Sequence, residues 1–489
     1  MFSFLISIAV LIVGYLIYGR VVEKIFGADP SRVTPAVSMK DGVDYVPMPS
    51  WKVYMIQFLN IAGTGPIFGA IMGAKFGPSC YLWIVLGSIF AGAVHDYFSG
   101  MLSIRKGGAT YPEVIGSEIR GSRVVIVVFT TFLLLMVGTV FVYSPALILG
   151  DLAGDGTSKW ILIWAIIILV YYIIATLLPI DKLIGRIYPI FAIALLFMAV
   201  AMMVSLFTKW PSLPEFWDGL QNRAPSVGVK GQNIFPCLFI TVACGAVSGF
   251  HATQSPLMAR CLKNERMGRP IFFGAMITEG IVALIWAAVS SWFFFDGGMA
   301  ECGLQGASAP QVVTAVSKHW LGIVGSILAI LGVVAAPITS GDTALRGARL
   351  NIADFLHIKQ DKIWNRLVIS LPIFAGVAVL LWFNISNEDG FNIIWRYFGL
   401  SNQTLAVFFL ATITVWLARK NPTGWQFLIG GIPAVFMFTV CLTFFCVDKT
   451  CLGLPLEWTR WFAAGWAVLA TAILVAFIAT NRRKALSRK

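Results

Sequence analysis

Apolar residues follow one another in long runs along almost the whole chain, and short polar stretches separate the runs. An α-helix rises 1.5 Å per residue, so about 20 apolar residues cross the hydrocarbon core of a bilayer. The pattern predicts thirteen membrane-spanning helices, with approximate bounds 2–19, 51–73, 78–100, 122–149, 158–178, 184–206, 234–259, 270–293, 310–340, 364–383, 393–417, 424–446 and 458–479. The first run lacks a basic start and a small-residue cleavage site, which favours a retained span over a signal peptide.

Composition excludes a water-soluble protein. Hydrophobic residues make up 58% and charged residues 12% of the 489 residues, and the mean hydropathy is +0.82. Soluble domains usually carry about 25% charged residues. The chain is therefore predicted to be an all-α polytopic membrane protein with the lipid bilayer as its partner and no separate soluble domain.

Basic residues are concentrated in alternate loops. The basic stretches are 20–40, 105–123, 182–186, 260–269, 346–366, 419–420 and 482–489, whereas the intervening loops 296–309 and 386–390 contain no Lys or Arg. Because basic loops stay on the cytoplasmic side of a membrane, we expect the N-terminus outside and the C-terminus inside. The net charge of +13 then reports topology, and no nucleic-acid partner is expected.

Two predicted spans carry small and polar residues at their centres. Span 51–73 contains NIAGTGPIFGA, and span 234–259 contains ACGAVSGFHATQSP. Proline suits the first turn of a helix because it lacks an N–H, and Ser or Gly suits the position before that turn. We expect Pro66 after Gly65, and Pro256 after Ser255, to begin second half-helices near the membrane midplane. The open alternative is that these residues only kink packed helices.

Half-helix ends at the midplane favour a bound anion, most simply a carboxylate, because their N–H groups are free and their dipoles are positive. The predicted substrate-binding residues lie at the two breaks and at two amides of the eleventh span: Gly63, Thr64, Gly65, Pro66, Ser248, Gly249, His251, Ser255, Asn402 and Gln403. The two amides could equally bond helices to one another.

The two breaks also suggest a repeat. Pro66 and Pro256 are 190 residues apart, and the same offset carries three spans onto three others: 51–73, 78–100 and 122–149 onto 234–259, 270–293 and 310–340. Five spans are an odd number, so the second copy is expected to be inverted, as in many secondary transporters. The predicted organisation is an N-terminal helix and loop, two repeats, and two C-terminal helices with a basic tail, at 1–50, 51–206, 234–417 and 418–489.

Six segments carry a resemblance to a known family. They are DPSRVTPAVSMKDGVDYVP (29–47), NIAGTGP (60–66), AGAVHDY (91–97), FITVACGAVSGFHA (239–252), TSGDTALRGAR (339–349) and FGLSNQTLA (398–406). They resemble the signature segments of the carbon starvation protein CstA family. The resemblance implies a bacterial inner-membrane transporter of peptides, or in some members of pyruvate with protons, built on a core similar to LeuT and the amino acid–polyamine–cation transporters. The chain is a short form that lacks the leading segment and the large insertion of long relatives.

Ionisable residues within the predicted spans are candidates for ion coupling, because an unpaired charge at such depth costs several kcal/mol. The family pattern matches at Asp96, His251, Glu279, Asp342, Arg346 and Arg349, while His95 stands where relatives can carry an amide. His251 is expected either to bind a carboxylate or carry a proton, or to bond freed backbone carbonyls as a neutral ring. Glu279 is expected to accept a proton or to be a structural carboxylic acid.

A second candidate set surrounds Asp342. Thr339, Ser340, Asp342 and Thr343 offer hard oxygen ligands where the related fold places a sodium-binding helix, which suits a small cation. Asp342 could instead pair with Arg346, four residues further along the helix. The coupling ion, H⁺ or Na⁺, stays open, and no cofactor or metal is expected.

Other sequence features give weaker indications of function. The eight cysteines show no paired CxxC spacing, so zinc is not expected, although a disulfide among Cys302, Cys446 and Cys451 stays open. Lys318 and Arg396 lie near outer membrane boundaries, where long cationic side chains reach the interface. Trp51, Trp160, Trp210 and Trp458 are expected at the two membrane interfaces.

The function expected is secondary transport of small carboxylate-bearing nutrients, either short peptides or pyruvate, and not an enzyme activity. Ser248 and His251 suggest an intramembrane serine protease as a rival, but the GxSxG elbow is absent. A nutrient sensor is a second rival, and the lack of any output domain counts against it.

Overall fold

The computed structural model describes residues 1–42, 44–153, 158–177, 180–304, 308–360, 362–387 and 390–486. Throughout these ranges all regular secondary structure is helical. Within the described residues, eleven helices are long and apolar enough to cross a membrane, or twelve if one bent pair counts as a single span. The prediction of an all-α protein with many spans is confirmed, and the count of thirteen stays a prediction.

The main helices are numbered here in chain order. They are α1 (Phe2–Phe26), α2 (Ser50–Ala62), α3 (Gly65–Ala74), α4 (Ser79–Arg105), α5 (Arg123–Ala153), α6 (Ser158–Leu177), α7 (Ile180–Lys209), α8 (Gly249–Ala259), α9 (Gly274–Phe295), α10 (Ala309–Leu356), α11 (Ile363–Ser386), α12 (Gly390–Lys420), α13 (Leu428–Val447) and α14 (Thr459–Leu486). A π-helical turn at Ile234–Leu238, continued by Phe239–Thr241, precedes α8.

Burial separates the helices into an inner and an outer set. Helices α4 and α9 are largely enclosed by other helices, whereas α14 is almost entirely exposed. Helix α10 packs along α5 and α7, and α12 packs against α13 and α14. Because lipid-facing helices must be apolar on their outer surface, the exposed apolar faces of α6, α7 and α14 suit contact with a bilayer.

The first break falls where the sequence predicts it. Helices α2 and α3 are bent by 50° at Gly63 and Thr64. Gly63 has φ +43°, a left-handed conformation that favours glycine. Pro66 lies in the first turn of α3, where its missing N–H costs no hydrogen bond.

The second break lies earlier than predicted. Helix α8 begins at Gly249 with Ser248 at its N-cap, and Pro256 stands inside the helix. The predicted helix start at Ser255 and Pro256 is therefore wrong. The Phe250 amide, near the earlier start, donates to the Asn402 side chain of α12. Membrane helices tolerate an interior proline when neighbouring groups satisfy the backbone.

All eight cysteines lie within the described residues, and all are free. The structure therefore answers the open question about Cys302, Cys446 and Cys451, since no disulfide joins them. The four tryptophans expected at the interfaces, Trp51, Trp160, Trp210 and Trp458, are all exposed.

Candidate functional site

The two breaks pack directly against each other. A Cβ atom added at Gly65 would lie 2.1 Å from Cys244 Cβ, and one added at Gly69 would lie 3.0 Å from the Thr241 carbonyl oxygen. Contacts this close leave no room for a side chain, so glycine allows the two backbones to meet. The structure thus brings α3 and the segment before α8 into one place at the centre of the bundle.

The N-terminus of α8 is capped by a side chain from another helix. Asn402 Oδ1 on α12 accepts a hydrogen bond from the Phe250 amide at 2.7 Å and another from Ser248 Oγ at 3.0 Å. A helix start normally offers such amides to a nearby acceptor. Asn402 therefore occupies the helix end that the sequence assigned to an anion, and Gln403 Nε2 similarly donates to the Phe239 carbonyl at 3.4 Å.

The start of α3 has a polar side chain without a hydrogen-bond partner in the part of the chain that the structure describes. Thr64 Oγ1 is buried and makes no hydrogen bond with any described residue. A buried hydroxyl without a partner costs about 1–3 kcal/mol, and such groups are usually explained by an unseen water, ion or ligand. At the first break the Thr64 hydroxyl is therefore available to another group.

Four titratable side chains form a continuous buried chain beside the breaks. Asp96 on α4 accepts from His95 Nδ1 through one oxygen and from His251 Nδ1 through the other, each at 2.9 Å. His251 Nε2 on α8 then lies 3.5 Å from Glu279 Oε2 on α9. All four side chains are fully buried, so the chain runs through three helices without solvent contact.

Hydrogen-bond chemistry restricts the protonation of this chain. An ionised Asp96 can only accept, so both rings donate to it from Nδ1. A neutral His251 then presents the Nε2 lone pair toward Glu279, whose two oxygens have no hydrogen-bond partner among the described residues. Either Glu279 carries a proton opposite a neutral ring, or the ring is cationic opposite a carboxylate. The pair can therefore hold one proton between them.

His95 extends the chain in the other direction. Its Nε2 has no hydrogen-bond partner within the described residues, and its ring lies edge-on to Phe409 at 5.2 Å between centroids. The structure places His95 on the far side of Asp96 from His251 and Glu279.

The predicted cation set on α10 is divided between two faces of the helix. Ser340 Oγ donates to the Leu59 carbonyl of α2 at 3.0 Å, and Thr343 Oγ1 lies 3.5 Å from Asn60 Oδ1. Asp342 Oδ2 instead accepts from Tyr188 of α7 at 2.7 Å. Asp342 therefore contacts a different helix from Ser340 and Thr343, because each residue turns 100° around the helix axis.

Thr339, the last member of the α10 set, and Arg346, the alternative partner of Asp342, both donate to backbone carbonyls. Thr339 Oγ1 donates to carbonyls of its own helix, at Ala335 and Ala336. Arg346 is buried and donates to the Ala175 carbonyl at 2.7 Å. In the part of the chain that the structure describes, no group of three or more His, Cys, Asp or Glu side chains could hold a metal ion.

The Ser248 and His251 pair does not have the geometry of a protease. Ser248 Oγ donates to Asn402, and His251 Nδ1 bonds to Asp96. A nucleophile and its base must bond to each other. These two side chains are each committed to another partner, which removes the support for the protease alternative.

Two small cavities lead away from the breaks. One, of about 10 Å³, is lined by Gly65, Cys244 and Phe398 among others, and the second, of about 40 Å³, is lined by Arg396 and Asp448. Their shared wall residues are Ile240, Thr241, Trp395 and Gly399. Because one water needs about 10–15 Å³, neither cavity has room for a substrate in this conformation.

An ion pair between Arg105 and Glu265 joins three segments in the basic loops. Glu265 is fully buried and accepts from Arg105 Nε at 2.8 Å, from Arg105 Nη2 at 2.9 Å and from the Asp29 amide at 2.8 Å. These contacts join α4 to the loop before α9 and to the first loop of the chain.

Sequence reasoning missed several residues of this site. Asn60 is a polar residue inside an apolar run, within NIAGTGP, and that signal was available. Cys244 and Tyr188 had no comparable signal, because cysteine and tyrosine are ordinary residues of membrane helices. Their importance follows only from contacts with residues far away in the sequence.

A bundle of membrane-crossing helices, in which two broken segments meet beside a buried acid–imidazole chain, has the architecture of a membrane transporter. The chain belongs to the CstA family, since the family model "Carbon starvation protein CstA" matches residues 1–157, 154–320 and 306–444. The resemblance drawn from the six sequence segments is thereby confirmed.

Curated relatives carry transporter names or no functional name. An uncharacterized membrane protein of Haemophilus influenzae is 48% identical over 339 residues, which cover 60% of this chain and 91% of that protein. The peptide transporter CstA of Escherichia coli is 26% identical, with 89% of this chain and 79% of that protein covered. The pyruvate/proton symporter BtsT of Escherichia coli is 24% identical, with coverage of 89% and 80%.

Solved structures show the same fold. A manganese transporter of Eremococcus coleocola superposes with a TM-score of 0.55 at 12% sequence identity, covering 91% of this chain and 99% of that one. The likeness concerns the fold alone. Together with the family membership, it identifies this chain as a multi-pass membrane transporter of the CstA family.

Proposed function

We propose that this protein is a secondary transporter that imports small carboxylate-bearing nutrients, short peptides or pyruvate, together with protons. The observation that carries the proposal is the buried chain of His95, Asp96, His251 and Glu279 beside the joined breaks. The names of two relatives, a peptide transporter and a pyruvate/proton symporter, support the substrate class and the proton.

The substrate carboxylate would bind at the start of α3. Asn402 already satisfies the start of α8, whereas Thr64 Oγ1 is buried without a hydrogen-bond partner among the described residues. The amides of Ile67 and Phe68 donate to the Thr64 carbonyl, and Pro66 has no N–H. The Thr64 hydroxyl and the positive dipole end of α3 would therefore favour an anion there. Binding would require the cavity at Gly65 to widen, which is the opening step of an alternating-access cycle.

Glu279 and His251 would carry the proton. An anion that enters a low-dielectric site brings an uncompensated charge, which is costly at membrane depth. A proton held between His251 Nε2 and Glu279 offsets that charge while substrate is bound. Release of both on the cytoplasmic side returns the pair to its starting state.

The same proposal extends to topology. The protein would lie in the bacterial inner membrane with its N-terminus outside and its C-terminus in the cytoplasm, as the basic loops indicate. Residues 51–206 and 234–417 would form the two inverted repeats that rock against each other around the breaks. Residues 1–50 and 418–489 would flank this core.

Uptake into proteoliposomes tests the proposal. We expect labelled pyruvate, or labelled di- and tripeptides, to accumulate when an inward pH gradient is imposed alone. Protein-free liposomes are the control. Accumulation driven only by sodium would move coupling to the Ser340 and Thr343 face of α10, and binding without flux would identify a sensor. Absence of both binding and uptake for every substrate would refute the proposal.

A further inference from the structure

Arg396 lies at the mouth of the cavity that is farther from the breaks. Arg396 lines this cavity together with Gln232, Cys237 and Asp448. The side chain is 36% exposed, so it reaches both the cavity and the surface. Arg396 also lies outside the six segments by which the chain resembles its family, and none of the mechanism described above uses it.

The cavity of Arg396 continues toward the substrate site. Ile240, Thr241, Trp395 and Gly399 line both this cavity and the smaller one that contains Gly65 and Cys244. Trp395 stands between the two, with its ring 5.5 Å from that of Phe398 and 6.0 Å from that of Phe68 on α3. A rotation of this aromatic cluster would join the two cavities into one path.

Asp448, the ion-pair partner of Arg396, is more buried than Arg396 and has a further hydrogen bond. Asp448 is buried, with 7% of its side chain exposed, and its Oδ1 accepts from the Thr450 amide at 2.9 Å. Arg396 Nη1 lies 3.4 Å from each oxygen of Asp448. Charge-assisted bonds of this type are usually about 2.7–2.9 Å long, so the guanidinium is loosely paired and keeps donors available.

We propose that Arg396 is an outer docking residue for the carboxylate of the incoming substrate, and that the Asp448 carboxylate pairs with Arg396 when no substrate is bound. The ligand class is a small carboxylate anion. Arginine suits this task because its planar donor fork matches both oxygens of a carboxylate. The inference rests on the proposed function, since it needs a carboxylate-bearing substrate that enters from the side of Arg396.

The test measures initial uptake rates in proteoliposomes for the carboxylate that the parent protein transports. Arg396→Gln should lower kcat/KM by roughly tenfold, mainly through KM, because a charge-assisted bond to the substrate is lost. Arg396→Lys should recover part of the loss, since it keeps the charge but not the fork. Asp448→Asn should lower KM, because the competing carboxylate is removed.

Lys449 supplies the matched control. It is an exposed cation next to Asp448 in the same loop, and Lys449→Gln should leave kcat/KM within about twofold because exposed charges contribute little. Added salt should reduce kcat/KM of the parent more steeply than that of Arg396→Gln, since screening weakens attraction to an exposed charge.

A merely structural role for Arg396 predicts a different outcome. In that case Arg396→Gln would lower thermal stability or kcat, while KM and the salt dependence would match those of the parent, and this result would overturn the inference. An equal loss in Arg396→Gln and Lys449→Gln would also overturn it. If the parent itself transports no carboxylate, the proposed function fails instead, so the two failures are distinguishable.

Discussion

Replacing Glu279 with glutamine tests the proton-carrying pair directly. The two side chains have nearly the same size, but glutamine cannot exchange a proton. Neither oxygen of Glu279 makes a hydrogen bond among the described residues, and its nearest charged partner is His251 Nε2 at 3.5 Å. The substitution therefore removes no hydrogen bond among the described residues, and when Glu279 carries the proton the free energy of unfolding should change by less than about 1 kcal/mol.

The effect on coupling should be large. One pH unit corresponds to about 1.4 kcal/mol per proton, which is tenfold in concentration. A monocarboxylate that moves with one proton transfers no net charge, so the membrane potential does not contribute. The parent should therefore concentrate pyruvate about tenfold per pH unit, whereas Glu279→Gln should reach a ratio of about one.

The assay compares two modes of transport in the same proteoliposomes. Accumulation driven by pH should be lost in Glu279→Gln, but exchange of labelled for unlabelled substrate should continue, because exchange needs no net proton movement. Asp342→Asn is the comparison variant and should still respond to pH. If Glu279→Gln accumulates substrate tenfold per pH unit as the parent does, Glu279 is structural and the reasoning is refuted.

Three further predictions concern stability, measured by thermal unfolding in detergent. Asn402→Ala should lower the free energy of unfolding by about 1–3 kcal/mol, because α8 loses its cap. Gln403→Ala removes a longer hydrogen bond and should lower the free energy of unfolding by less. Equal losses in the two variants would contradict the capping role. Gly65→Ala should cost about 1–3 kcal/mol by overpacking against Cys244, and Cys244→Gly in the same chain should recover part of this loss. Glu265→Gln should lower the free energy of unfolding by about 1–3 kcal/mol, because the half-buried Arg105 guanidinium loses its charged partner; an unchanged melting temperature would contradict that role.

The local chemistry of the chain determined the class of protein and the first break. Apolar runs long enough to cross a bilayer define helices wherever they occur, since unpaired backbone groups are too costly in hydrocarbon. Gly63 and Pro66 act through their own backbone, one by adopting a positive φ and the other by lacking an N–H. Such effects are local, so the sequence alone predicted α2, α3 and the bend between them.

Tertiary contacts determined where the second break falls and which side chains of the site contact one another. Helix α8 starts at Gly249 because Asn402, far along the chain, accepts from the Phe250 amide, and no local pattern reports a cap supplied by another helix. The ionisable residues could be found from the cost of burying charge. Their partners could not, because a contact such as that of His251 with Asp96 depends on how α4 and α8 are rotated about their axes. Those rotations are set by packing over the whole bundle, which also turned Asp342 toward Tyr188 and away from the face of Ser340.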